Sequence, residues 1–290
     1  MAAWAGWHYV LLALACYGLD LTLKACRFYF YLQGKLPLST LVPVVWIHSF
    51  WNNMLPYRSG ELSYLYLLRQ SGLVRDGDNL TSLLAARFFD ALALLLMVAT
   101  ATILLFPAQS GALWAAQLTG TLAVMGAVLL GLTALIIWNQ SAVAVLVRFQ
   151  ARMSAKPKKL LGKLAEAIGA LDRLRGWSSL GAFTLLSLGV WLSDIAYVWA
   201  VLRAADISLS PLHALFITAF PVLAALIPVP TPAAVGAFEG TVAGGLLLLG
   251  LSKTQALTGS VFLHVHLLAS TSLLLVLALL WRRYGRKIKA

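Results

Sequence analysis

Apolar stretches follow one another along the whole 290-residue chain, and two of them are cut by helix breakers. A membrane-crossing helix needs about 20 mainly apolar residues, and five stretches meet that length, at roughly 8–32, 82–106, 112–138, 178–203 and 256–281. Two more, about 36–72 and 211–250, are equally greasy but interrupted. The chain is 61% hydrophobic and 11% charged, with a mean hydropathy of +0.85, far from the roughly 25% charge of an average soluble domain. Lipid is therefore its main solvent. Only helices or closed barrels satisfy their backbone there, so an all-α polytopic fold is expected.

The interruptions are specific. The first stretch holds "NNMLPYRSGELSYLYLLR" over 52–69, and the second holds "IPVPTPAAVGAFE" over 227–239, with Pro228, Pro230 and Pro232 in five residues. Each proline lacks an N–H donor and biases the residue before it away from helical geometry. Neither stretch can be one plain span. Broken backbone at membrane depth is tolerated where protein or a water-filled cavity satisfies it, so each is expected to be a re-entrant helix pair lining a cavity.

Sliding the chain on itself by 178 residues pairs Pro43 with Pro221, Glu61 with Glu239 and Gly72 with Gly250 without a gap. Repeat 1 then covers about 8–106 and repeat 2 about 178–281, joined by the span 112–138 and a basic segment at 148–175. With three spans between the starts of the two copies they point oppositely, giving an inverted repeat of the transporter kind within a single membrane domain, 1–290. No Lys or Arg precedes the first apolar run, and no cleaved leader is expected.

Basic residues cluster at 148–175 (eight) and in the tail "WRRYGRKIKA" (five), thirteen of the chain's 22. The positive-inside rule puts both on the cytoplasmic side of a cell (inner) membrane, and the +12 net charge is then mostly an orientation signal. Nucleic acid is not needed to explain it. Cys16 and Cys26, ten residues apart in one span, are too far along a helix to bridge easily.

Charge inside the spans is costly, roughly 2.5–3.5 kcal/mol for a lone group at the bilayer centre, so each such residue is expected to face the bundle interior. Asp20, Lys24 and Arg27 share one helical face, either as an internal ion pair with Arg27 snorkelling or as a basic cytoplasmic entrance built on Lys24 and Arg27. Arg87 and Asp90 form an i, i+3 pair. Arg58 and Glu61 flank Gly60 beyond the turn at Pro56, where a helix N-terminus offers free N–H groups to an anion; Arg58 suits a phosphate, and Asn52 and Asn53 add neutral hydrogen bonds. Glu61 and Glu239 are either ordinary first-turn acids or a carboxylate pair from opposite faces of one chamber. Asp194 needs a partner outside its own helix. His264 and His266 are either packed neutral imidazoles or proton-coupling groups.

At these residues a resemblance enters. "NNMLPYRSGE", "LLAARFFD" and "PTPAAVGAFE" resemble the lysylphosphatidylglycerol synthase transmembrane-region family, over about 8–281. The resemblance implies a polytopic domain with re-entrant helices that moves lipids, such as aminoacylated phospholipids or polyprenyl-linked carriers, between leaflets. Its signature falls on Asn53, Pro56, Gly60, Glu61, Arg87 and Asp90 in the first half, and on Pro230, Gly236 and Glu239 in the second. The chain departs from it at Tyr64, where a basic residue is expected, and at Ala233 and Ala234, where glycines are usual. Neither the leading span common in relatives nor a soluble synthase domain is expected.

The expected function is that of a lipid flippase for a phosphate-bearing headgroup. Asn52, Asn53, Arg58, Glu61, Arg87, Asp90 and Glu239 would bind substrate, and Asp194, His264 and His266 would gate or carry protons. No catalytic residue, cofactor or metal site is expected. Membrane lipids are the expected partners, with a second copy of the chain or a lipid-modifying enzyme as further candidates. The rivals are a membrane transferase using Glu61 or Asp90 as base, and a scaffold docking a cytosolic partner on 148–175.

Overall fold

A computed structural model describes residues 6–56, 59–70, 76–105, 138–150, 177–224 and 231–287, with single positions between 72 and 134. The described residues form helices and no strand: α1 (Trp7–Tyr31), α2 (Leu38–Met54), α3 (Glu61–Arg69), α4 (Asp76–Leu105), α5 (Asn139–Gln150), α6 (Trp177–Ala204), α7 (Pro211–Ala224), α8 (Ala237–Leu248) and α9 (Lys253–Lys287), with a 3-10 turn at Pro232–Ala234. Among them four are long and apolar enough to cross a membrane, over Trp7–Tyr31, Gly77–Leu105, Gly181–Ala204 and Lys253–Tyr284. The span expected at 112–138 and most of the basic segment 148–175 lie outside the described residues. Large apolar side chains point outward along these helices, with Leu19, Leu96, Leu185 and Leu192 each more than half exposed. In water such faces would be a liability; against acyl chains they are the expected outer surface.

Element lengths recur. Long, short, short, long describes α1 to α4 and again α6 to α9. Both interrupted stretches resolve into helix, break, helix. In the first, Leu55 ahead of Pro56 is extended (φ −87°, ψ 139°) and ends α2, as the ring of a following proline demands. In the second, α7 and α8 are separated by the proline-rich segment, of which 225–230 is outside the described residues. Pro43 lies inside α2 and Pro221 inside α7, while Gly72 (φ 67°) and Gly250 (φ 84°) make the left-handed turn after each short helix.

Packing crosses between the halves. α2 lies on α9, α7 lies on α4, and α1 lies along α6. Each half thus supplies the wall for the other's interrupted pair. Gly60 sets how tightly the first pair closes: a Cβ there would overlap the Asn52 amide nitrogen, so only glycine lets the start of α3 touch α2. Tyr64 is fully buried, its ring 4.6 Å from that of Phe28 and its hydroxyl 3.0 Å from Ser82 Oγ, and it binds α3 to α1 and α4.

Candidate functional site

Between these walls lies a cavity of about 250 Å³, lined from both interrupted pairs and from α1, α4, α6 and α9. Its polar lining includes Lys24 and Arg27 of α1, His48, Ser49, Asn52 and Asn53 of α2, Arg87 and Asp90 of α4, Asp194 of α6 and His264 of α9.

The charges are mostly compensated in pairs that sequence spacing does not disclose. Arg27 is only 2% exposed; its Nη1 donates to Asp90 Oδ1 at 2.6 Å and its Nη2 to Asp90 Oδ2 at 3.3 Å. Ser187 Oγ lies 3.3 Å from the same Nη1, and the guanidinium sits over the Phe183 ring. Arg27 therefore belongs to the cavity wall, and neither snorkels to a headgroup nor stands free at an entrance. Lys24 Nζ donates to the buried Asp20 at 2.7 Å. Arg87 takes Glu61 as its close partner, at 2.5 Å, while its i, i+3 contact to Asp90 is 4.0 Å. The local pairing of Arg87 with Asp90 is thus the weaker of the two.

Glu239 is held from two sides. Its Oε2 accepts the Gly236 N–H at 2.7 Å, closing the first turn of α8, and its Oε1 meets His264 Nδ1 at 2.6 Å. Gly236 takes φ 88°, a left-handed value that suits glycine. Phe238 stacks flat on the same imidazole, with centroids 4.3 Å apart and planes 18° from parallel. The two glutamates are thus not a carboxylate pair sharing one ligand: each is committed to its own cation or imidazole, and neither is among the cavity-lining side chains.

Along α2 a polar stripe faces the cavity. Asn53 Nδ2 donates to Tyr17 OH at 3.2 Å, and Tyr17 OH lies 2.9 Å from Ser49 Oγ. His48 Nδ1 lies 3.2 Å from the Gly60 carbonyl and 3.4 Å from Ser63 Oγ, tying α2 to the start of α3. Asn52 lines the cavity with a buried Oδ1 that has no hydrogen-bond partner among the described residues. Asp194 also lines it, with Lys24 of α1 as the cation that attracts it. His266 does not line the cavity: its ring sits between Tyr197 OH, Ser270 Oγ and the Val10 carbonyl, fastening α9 to α6 and α1. Arg58 and Pro230 lie outside the described residues.

Tyr17, His48, Ser49 and Phe238 are site residues that sequence reasoning missed. Their signal was present in part, since His48 with Asn52 and Ser49 with Asn53 repeat at i, i+4 on one apolar helix. Among the described residues no group of three or more His, Cys, Asp or Glu gathers as a metal site would. The cavity instead concentrates guanidinium, ammonium and amide donors beside carboxylates, in a space walled by helices. An anion entering it would have to compete with Asp90 for Arg27, or with Glu61 for Arg87.

A family model described as "Lysylphosphatidylglycerol synthase TM region" matches residues 1–274. No curated protein and no solved structure matches the chain.

Proposed function

The chain belongs to the lysylphosphatidylglycerol synthase transmembrane-region family, and from that premise we propose that it is a flippase-like transporter, moving a phosphate-bearing lipid between the leaflets of the cell (inner) membrane. The candidate lipids are a phospholipid, an aminoacylated phospholipid or a polyprenyl-linked carrier. The headgroup crosses through the charged cavity while its tails stay in the bilayer, and no covalent step is involved. Arg87, Asn52, Asn53 and Arg58 receive the phosphate; Asp90 and Glu61 compete for Arg27 and Arg87 and reset the site between passages, while Glu239, paired with His264, holds the second interrupted pair at the edge of the site. The two interrupted pairs act as re-entrant hairpins of an inverted repeat, with 148–175 and the C-terminus cytoplasmic.

The observation that carries this reading is that one polar cavity is lined by both interrupted pairs, each walled by the other half's long helix. Reciprocal construction of that kind suits a site near the midplane that opens alternately to either side.

The test is translocation of a fluorescent phosphatidylglycerol in vesicles carrying the purified protein, read by reduction of the outer-leaflet label with dithionite. Loss of inner-leaflet protection faster than in protein-free vesicles, and slowed by Arg87→Ala, supports the proposal. A rate equal to that of protein-free vesicles rejects it.

A further inference from the structure

Positions related by the 178-residue offset line the cavity from both halves, and their chemistry differs. Leu55 and Pro56 match Ala233 and Ala234, and all four are lining residues, so the two breaks meet the cavity at equivalent places. Asp90 matches Leu268, which lines the cavity as well. Arg27 and Arg87, both in the wall, match Ala205 and Val265, neither of which lines it. The frame is repeated and the charge is not.

The polar groups that the second half does bring are largely engaged within the protein. Among the described lining residues these are Asp194, Thr231 and His264. Asp194 is attracted by Lys24, Thr231 Oγ1 donates to the Val235 carbonyl at 3.0 Å, and His264 gives its Nδ1 to Glu239 beneath the Phe238 ring. The rest of that side is hydrocarbon, with Pro221 and Val222 of α7, Ala234 of the 3-10 turn, Phe238 of α8, and Leu267 and Leu268 of α9. In the first half, by contrast, Arg87 and Lys24 keep 38% and 28% of their side chains exposed, and the Asn52 Oδ1 has no partner among the described residues. One cavity thus has a polar wall and an apolar wall.

We infer that the second-half wall is a hydrocarbon subsite: the phosphate of a bound lipid sits on the wall of α1, α2 and α4, and the first carbons beyond its ester oxygen lie against Val222, Phe238 and Leu268. A carbon chain placed there trades water for apolar surface, a gain of about fourfold in affinity per methylene. A hydroxylated or charged segment in the same place loses its hydrogen bonds to water and finds few in return. The subsite therefore selects a lipid whose hydrocarbon begins at the phosphate ester, as in a polyprenyl-linked carrier. It disfavours a glycerophospholipid, in which each of the three carbons next to the phosphate carries oxygen. This assignment rests on the transport reading above for the phosphate, and adds to it which of the candidate lipids the cavity fits.

The experiment measures the affinity of the detergent-solubilised full chain for ethyl, butyl and hexyl phosphate and for glycerol 3-phosphate, from the rise in melting temperature with ligand concentration. From ethyl to butyl, and again from butyl to hexyl, the affinity is expected to rise on the order of tenfold, and glycerol 3-phosphate should bind no tighter than ethyl phosphate. Leu268→Asn and Val222→Ser, both at partly buried positions, should each cut these rises to about threefold or less. Arg87→Ala should weaken all four ligands and keep the rises. Partition of the alkyl chain into the micelle is common to every variant, so the difference between wild type and wall variants reads the cavity alone. Affinities that ignore chain length, or rises that survive both wall variants, overturn the subsite and leave the phosphate site standing. If none of the four ligands binds the wild type, the subsite and the phosphate site fall together. Should one wall variant fail to fold, as its ligand-free melting curve shows, the other decides.

Discussion

Arg27 of α1 and Asp90 of α4, 63 residues apart in the chain, meet as a forked ion pair in the cavity wall. Removing one partner of such a pair leaves the other buried and uncompensated, which costs about 3–5 kcal/mol, whereas replacing both with apolar groups costs far less. Asp90→Ala and Arg27→Met should therefore each lower the thermal stability of the detergent-solubilised protein strongly. The double variant should recover part of the loss. Additive losses would show that the pair is not coupled.

Gly60 and Gly240 give opposite expectations for one substitution. Gly60→Ala drives a methyl group into the α2 backbone and should open the first hairpin, giving faster proteolysis at the turn and a loss of several kcal/mol. Gly240→Ala meets nothing within 4 Å and sits inside α8, so it should stabilise by up to about 1 kcal/mol. Limited proteolysis and melting curves of the two variants check both.

Ala233 and Ala234 sit at φ 55° and 54°, a left-handed conformation that costs a residue with a Cβ roughly 1–2 kcal/mol each. Ala233→Gly should raise the melting temperature, and Ala234→Gly should do the same independently. A fall in both would mean that the alanine methyls make contacts worth more than the backbone strain.

Asn52 separates function from stability. Its buried Oδ1 makes no hydrogen bond to a described residue, so Asn52→Leu removes no such contact to that oxygen and should change stability by less than about 1 kcal/mol. In the vesicle assay the same variant should translocate labelled phosphatidylglycerol more slowly. Unchanged transport would remove Asn52 from the substrate path.

Much of this architecture was legible because its punctuation is chemical. Pro56, Gly72 and Gly250 fix where helices break or turn whatever surrounds them, Pro43 and Pro221 sit inside α2 and α7, and the 178-residue offset connects four of these five. The ion-pair partners were not legible in the same way. Spacing within one helix favours Arg87 with Asp90, whereas the folded chain gives Asp90 to Arg27 and Arg87 to Glu61, because contacts between helices override proximity along one of them. Asp20 and Lys24, four residues apart on a single helix, are the case in which local spacing and folded partner agree. His264 and His266 look alike in sequence, yet one faces the cavity and the other packs on Tyr197, since residues two apart on a helix point to different sides.

The packing of α2 on α9 has a consequence for biosynthesis. α2 ends at Met54 and α9 begins at Lys253, so nearly 200 residues must leave the ribosome before the first hairpin acquires its neighbour. Until then Ser49 and Asn53 have Tyr17 of α1 as their partner, but the side of α2 that α9 will cover meets lipid or the insertion machinery. A ribosome stalled before α9 would hold a nascent chain whose first hairpin lacks that wall, a ready mark for membrane quality control.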